Sequence, residues 1–193
     1  YGLSADNVTA DLAAVVARSR GVAGQLNKGV TGLMKKNKID VHMGQGKLTA
    51  PGKLTVEADG KTTERTAKHV IIATGARARE LPKAKADGKR IWTYRHAMVP
   101  PEMPSKLLVI GSGAIGIEFA SFYNDLGAEV TVVEMIDRVV PVEDADVSAF
   151  LEKALKKQGM KIVTSAKLED IQASDSGVAV KIKDKDGNVS EDT

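Results

Sequence analysis

The stretch that most restricts the fold is residues 106–134, KLLVIGSGAIGIEFASFYNDLGAEVTVVE. The apolar run Leu107 to Ile110 predicts a fully buried strand. It runs into Gly111-Ser112-Gly113-Ala114-Ile115-Gly116 at a tight turn, followed by a helix from about Ala114 to Leu126 that Gly127 closes. A second apolar run, Val130 to Val133, ends at Glu134. Each glycine has a physical task in such a unit. Gly111 permits the turn. Gly113 lets backbone approach a pyrophosphate held by the free N–H groups and dipole of the helix start, and Gly116 lets helix and strand pack closely. Glu134, some twenty residues on, is placed to accept the ribose hydroxyls of an adenosine. A carboxylate there favours NAD and repels the 2′-phosphate of NADP. Met135 and Ile136 follow it, and Arg138 is the nearest cation. A glycine-rich turn alone would be weak support, but strand, helix, second strand and acid all stand at the spacing a dinucleotide site requires.

A chain of 193 residues is long enough for one good core, or for one domain and part of another. The net charge of +3 is small, and no lysine/arginine cluster lies beside stacking aromatics, which argues against nucleic acid as a partner. The longest uncharged apolar stretch, Leu107 to Ile117, is too short to span a bilayer, so no membrane partner is expected. The absence of cysteine fits a cytoplasmic protein and removes disulfide, thiolate and cysteine–metal chemistry from these residues.

Before the glycine unit, Leu12, Val15, Val16, Val22, Ala23, Leu26, Val30, Leu33 and Met34 recur at helical spacing and predict a helix over residues 8–37, with Thr9 as N-cap and Asp11 in its first turn. A stripe of this kind is expected to be core. Ile39 to Met43 reads as a short strand leading to Gly44-Gln45-Gly46. Leu54 to Ala58 and Thr62 to Thr66 flank the hairpin turn Asp59-Gly60. Val70 to Ala73 reads as a buried strand ending in Thr74-Gly75. Pro100, Pro101 and Pro104 mark a boundary before Lys106, which gives residues 1–75, a connection over 76–104, and a domain over 105–193. Beyond Glu134, Asp144 or Asp146 caps a helix to about Gln158 that Gly159 stops. Met160 to Thr164 is a strand, and Val178 to Ile182 with Lys185-Asp186-Gly187-Asn188 opens a hairpin. A start at Tyr1 and a hairpin opening at the last residues lead to the expectation of a chain cut at both ends.

His42, His69 and His96 lie in three separate elements, and no HExxH or GxSxG is present, so no metal site or nucleophilic triad is expected. Glu118 admits two readings: a partly exposed acid that compensates the helix dipole, or an acid facing the nicotinamide end of the crevice and paired with a lysine.

Together, GSGAIGIE, VTVVE, IIATGARARELP and LNKGVTGLMKKNKIDVHMGQGKL resemble the flavoprotein disulfide reductases with two dinucleotide folds, and within them the dihydrolipoamide dehydrogenase branch. The resemblance implies an α/β chain: a Rossmann-like NAD-binding domain (three layers, a parallel sheet with a β-hairpin addition) over 105–193, and part of an FAD-binding domain over 1–75. It implies FAD contacts at Gly46, Thr74, Gly75 and Ala76. NAD contacts are implied at Gly111, Ser112, Gly113, Ala114, Ile115, Gly116, Ile117, Glu118 and Glu134, with Leu168 near the adenine. Glu118 would be the acid approaching flavin and nicotinamide. The implied activity passes electrons from dihydrolipoyl groups through a disulfide and FAD to NAD. The implied partners are a lipoyl-bearing acyltransferase of a 2-oxoacid dehydrogenase complex and, in the complete enzyme, a second copy of the subunit. The family's N-terminal FAD fingerprint, C-x4-C redox disulfide, second FAD-contacting aspartate and C-terminal His–Glu base have no counterpart here. Two other readings stand beside this one: another disulfide reductase of the superfamily, or a nucleotide-binding module without catalysis.

Overall fold

In the computed structural model, Gly2 and residues 4–192 are described. The chain divides into two compact units, one of them Ala17–Arg77 and the other holding the sequence from Ala78 onward.

Helix α1, Leu12–Lys36, leads into the first unit. The Asp11 carboxylate accepts the N–H of Ala14 at 3.1 Å, so Asp11 and not Thr9 caps the helix. A side-chain oxygen acceptor beside the free N–H groups of a helix start is well suited to that place. The apolar stripe does not become core: α1 buries no residue, and Leu26, Val30 and Leu33 are all more than half exposed. Three strands follow, β1 Gln45–Ala50, β2 Lys53–Ala58 and β3 Lys61–Thr66, in an antiparallel sheet of that order. The β2–β3 turn is Asp59-Gly60, both with positive φ, as two-residue hairpins require. Two expected strands are not formed. Ile39 to Met43 and Val70 to Ala73 are irregular chain outside any ladder, with Met43 and Ile71 more than four-fifths exposed. An apolar run becomes a strand only where a neighbour takes its N–H and C=O groups, and among the described residues none pairs with either run.

The second unit contains the glycine stretch. A short helix α2, Tyr94–Ala97, precedes β4, Lys106–Ile110. Then come α3 Ala114–Asp125, β5 Glu129–Val133, α4 Ala145–Lys157 and β6 Lys161–Val163. Strands β4, β5 and β6 form a parallel sheet in that order, with Val109 opposite Val132 and Val132 opposite Ile162. The α4 cap is Asp144, whose carboxylate accepts the Asp146 N–H at 2.9 Å. The remaining strands, β7 Lys167–Ala173, β8 Val178–Lys183 and β9 Val189–Asp192, make a separate antiparallel sheet. The expected hairpin is therefore β8–β9, and β7 completes it.

Alternation along the parallel strands sends side chains to two cores. On one face Val130, Val132 and Ile162 meet Ile117, Ala120 and Tyr123 of α3 and Leu155 of α4, with Trp92, Ala97 and Met103 packed against the same cluster. On the other, Val133 meets Ala166, Val180 and Ile182, with Leu108, Leu168 and Ile171 alongside. The unit thus has three layers, helices, parallel sheet and antiparallel sheet, and from Val130 to Val133 the central strand β5 is buried throughout, as covering on both faces demands. Each fully buried valine contributes roughly 1.5–3 kcal/mol over leaving it in water.

Candidate functional site

The site grows from the carboxyl ends of β4 and β5. Gly111, at φ +96, turns the chain out of β4 while its N–H donates to the Val133 carbonyl at 2.8 Å. Only glycine holds that conformation without strain. Ser112 follows, wholly buried. Its N–H and its hydroxyl both donate to Glu134 Oε2 at 2.8 Å, and its carbonyl accepts the Val140 N–H at 3.0 Å. Gly113 is the N-cap of α3 and no side chain caps the helix start. A Cβ on Gly113 would meet nothing within 4 Å, and Gly113, Ala114 and Ile115 are exposed. A Cβ on Gly116, by contrast, would lie 2.2 Å from the Gly111 carbonyl oxygen, which is the close helix–turn approach expected of it. Ile117 points the other way, into the core.

Glu134 stands beside the bend, 8% exposed. Its Oε1 accepts the Ile136 N–H at 2.9 Å, and its backbone bridges Val163 and Ala166. Burial alone would push its carboxyl up. The N–H groups of Ile136, Ser112 and Met135 and the Ser112 hydroxyl together outweigh burial and hold it below its ordinary value. Glu134 is therefore ionised at neutral pH, and the stability it lends is complete above the unfolded value of 4.5 and is lost as pH falls through the lower folded value. Glu134→Gln is expected to unfold at lower urea than the parent at pH 7, with the difference shrinking as pH drops below 4.5. Equal urea midpoints for the two at neutral pH would contradict this.

Together these groups offer unshared N–H donors at the end of a helix dipole, with one fixed anionic acceptor nearby, an arrangement suited to a diphosphate next to a diol. Arg138 does not join them: its guanidinium lies 3.7 Å from Asp137 and donates to the Pro141 carbonyl at 3.3 Å. Glu118 is exposed, one turn beyond Ala114 on the same side of α3, and makes no ion pair among the described residues. Leu168 lies on β7 opposite Ile182, half-buried against the second core. A cavity of about 330 Å³ adjoins the residue after Glu134, lined by Met135, Ser165 and Ala166 and by Lys167, Lys183 and Lys185. Of the residues that the resemblance assigns to FAD, Gly46 of β1 pairs with Val56 of β2, while Thr74, Gly75 and Ala76 are exposed chain outside any strand. Those four offer no charged side chain and no helix start to hold a diphosphate.

His42 accepts the Arg65 Nε–H at 3.2 Å, and His96 closes the α2 capping box through Nδ1. Among the described residues no group of three or more histidine, aspartate or glutamate side chains is placed to hold a metal ion, and no helix is long and apolar enough to cross a membrane. The partners of Glu134 were not foreseen from sequence. Its Ile136 contact is a backbone one without a sequence signal. The Ser112 contact had one: a hydroxyl between two glycines where the turn needs no side chain.

The family profile described as pyridine nucleotide-disulphide oxidoreductase matches residues 3–191. A dihydrolipoyl dehydrogenase of Zymomonas mobilis is 51% identical over 100% of this chain and 41% of its own length. One from Rhizobium etli is 46% identical over 97% of this chain and 42% of its own. The chain thus spans about two-fifths of the length of these curated relatives. Among solved structures, LpdA from Mycobacterium tuberculosis superposes with a TM-score of 0.84 at 34% identity, over 95% of this chain and 41% of that one.

Proposed function

The chain belongs to the pyridine nucleotide-disulphide oxidoreductase family, and from that footing we propose that residues 105–193 are an NAD-binding domain of a dihydrolipoyl dehydrogenase-like oxidoreductase. The observation that carries the proposal is the ionised Glu134 held against Ser112 beside an uncapped helix start. The N–H groups from Gly113 onward hold the diphosphate and Glu134 holds the adenosine ribose. Glu118, on the same side of α3, reaches toward the nicotinamide end and is the candidate catalytic acid. NAD supplies a hydride acceptor when bound. The residues of this chain bind and orient it.

The resemblance and the relatives support the rest of the reading. Residues 1–75 are a portion of an FAD-binding domain joined by a connection over 76–104, with Gly46 and Thr74 to Ala76 as a minor part of the flavin site. Electrons come from dihydrolipoyl groups on an acyltransferase of a 2-oxoacid dehydrogenase complex, in a homodimer and in the cytoplasm. The dithiol step needs cysteines, and these 193 residues contain none, so that step falls outside them.

Titration of the protein with NADH, followed by cofactor fluorescence, tests the proposal. Saturable binding is expected, with NADPH weaker by about tenfold or more, the scale of one lost or opposed charged contact. No saturable binding at millimolar NADH, or equal affinity for both, overturns it.

A further inference from the structure

We infer that Ser112 is a positioning residue for cofactor choice: its hydroxyl acts through Glu134, fixing the carboxylate that receives an adenosine ribose and so setting the preference for a 2′-hydroxyl over a 2′-phosphate. The inference rests on the NAD reading above and changes the part Ser112 plays in it. Ser112 is 0% exposed, so its side chain does not reach a ligand in the crevice. Its two donors, N–H and O–H, converge on one oxygen, Glu134 Oε2, each at 2.8 Å. The Ile136 N–H holds the other oxygen, Oε1, at 2.9 Å.

The serine is itself held on its other side. Its carbonyl accepts the Val140 N–H, and the neighbouring Gly111 N–H is tied to Val133. The carboxylate is thus clamped between the glycine bend and the chain after β5, and it cannot swing aside. A ribose 2′-hydroxyl can donate to a carboxylate. A 2′-phosphate brings only acceptors and negative charge against an anion that has no freedom to retreat. Alanine or glycine would serve the turn equally well, so the hydroxyl is surplus to the bend and has one use, the grip on Oε2.

The test measures NADH and NADPH dissociation constants for the full chain and for Ser112→Ala, alone and in a Glu134→Gln background. In Ser112→Ala the NADH constant is expected to rise roughly three- to tenfold while the NADPH constant stays level or falls, since one charge-assisted hydrogen bond is lost from the acid and the anion gains freedom to retreat. In the Glu134→Gln background the same substitution is expected to leave the ratio of the two constants unchanged. Equal weakening toward both cofactors, or an undiminished change of ratio in the Glu134→Gln background, would overturn the inference while leaving the NAD reading standing. Failure of the parent chain to bind either cofactor would instead remove the NAD reading, and the inference with it. A crystal structure of the parent with NADH decides independently of how the variants fold: Ser112 Oγ still on Oε2 supports the inference, and a ribose spanning both oxygens with the serine displaced overturns it.

Discussion

Replacing Gly116 with alanine is expected to destabilise the second unit by about 3 kcal/mol or more and to abolish saturable NADH binding. The added Cβ would lie 2.2 Å from the Gly111 carbonyl oxygen and 3.3 Å from its carbonyl carbon. Both are backbone atoms, so no rotamer change relieves the contact and either the helix or the bend must move. The bend is already tied down, through Gly111 to Val133 and through Ser112 to Glu134 and Val140. Moving α3 instead separates Ile117, Ala120 and Tyr123 from Val130 and Val132. Either response displaces the N–H groups of the helix start, so stability and binding fall together. Thermal melting should show a midpoint lower by on the order of 10 °C. Gly113→Ala is the control, because its Cβ would enter open space: it should melt close to the parent yet bind NADH more weakly, since the methyl would occupy the proposed diphosphate position. A Gly116→Ala protein that melts and binds like the parent would contradict the packing described.

Tyr123→Ala is the second large effect, expected at about 3–5 kcal/mol. Tyr123 is a fully buried residue of α3, stacked edge-on against Phe122 with centroids 5.0 Å apart and tilted 6.3 Å from Trp92. Its hydroxyl donates to the Ala97 carbonyl at 2.8 Å, and burial pushes its pKa up to about 12. Truncation empties a volume walled by the sheet and by the 92–103 segment, and it strands the Ala97 carbonyl. Tyr123→Phe keeps the ring and loses only the hydrogen bond, so about 1 kcal/mol is expected. Urea unfolding of the two variants separates the contributions. If Phe costs as much as Ala, the ring is not the stabilising part and the core assignment is wrong.

Much of the second unit was legible because its signals are local. The run from Lys106 to Glu134 announces its own turn, helix and second strand, and Asp144 announces a cap. What was not legible depends on partners distant in sequence. Ile39 to Met43 and Val70 to Ala73 have the composition of strands, but a strand is made by the neighbour that takes its hydrogen bonds, and composition does not carry that. The stripe on α1 has the period of a buried face, yet period reports only which side is apolar and not whether anything covers it. Strand β7 escaped for another reason. A bulge between Leu168 and Asp170 brings Leu168 and Ile171, three residues apart, onto one core, which breaks the two-residue alternation that marks a strand. Strand β1 is exposed along its whole length and forms only because β2 pairs with it. At the candidate site, spacing alone points to the glycines and Glu134, whereas the grip of Ser112 on Glu134 follows from two loop ends meeting in space.

The most direct test of the account follows backbone amide signals by ¹⁵N NMR during NADH titration. Saturable shifts are expected to be largest at Gly113, Ala114, Ile115 and Gly116, with a second group at Ser112, Met135 and Ile136 around the Glu134 carboxylate. Saturable shifts confined to residues 17–77 or to the Lys183–Gly187 turn, with the start of α3 unmoved, would contradict it.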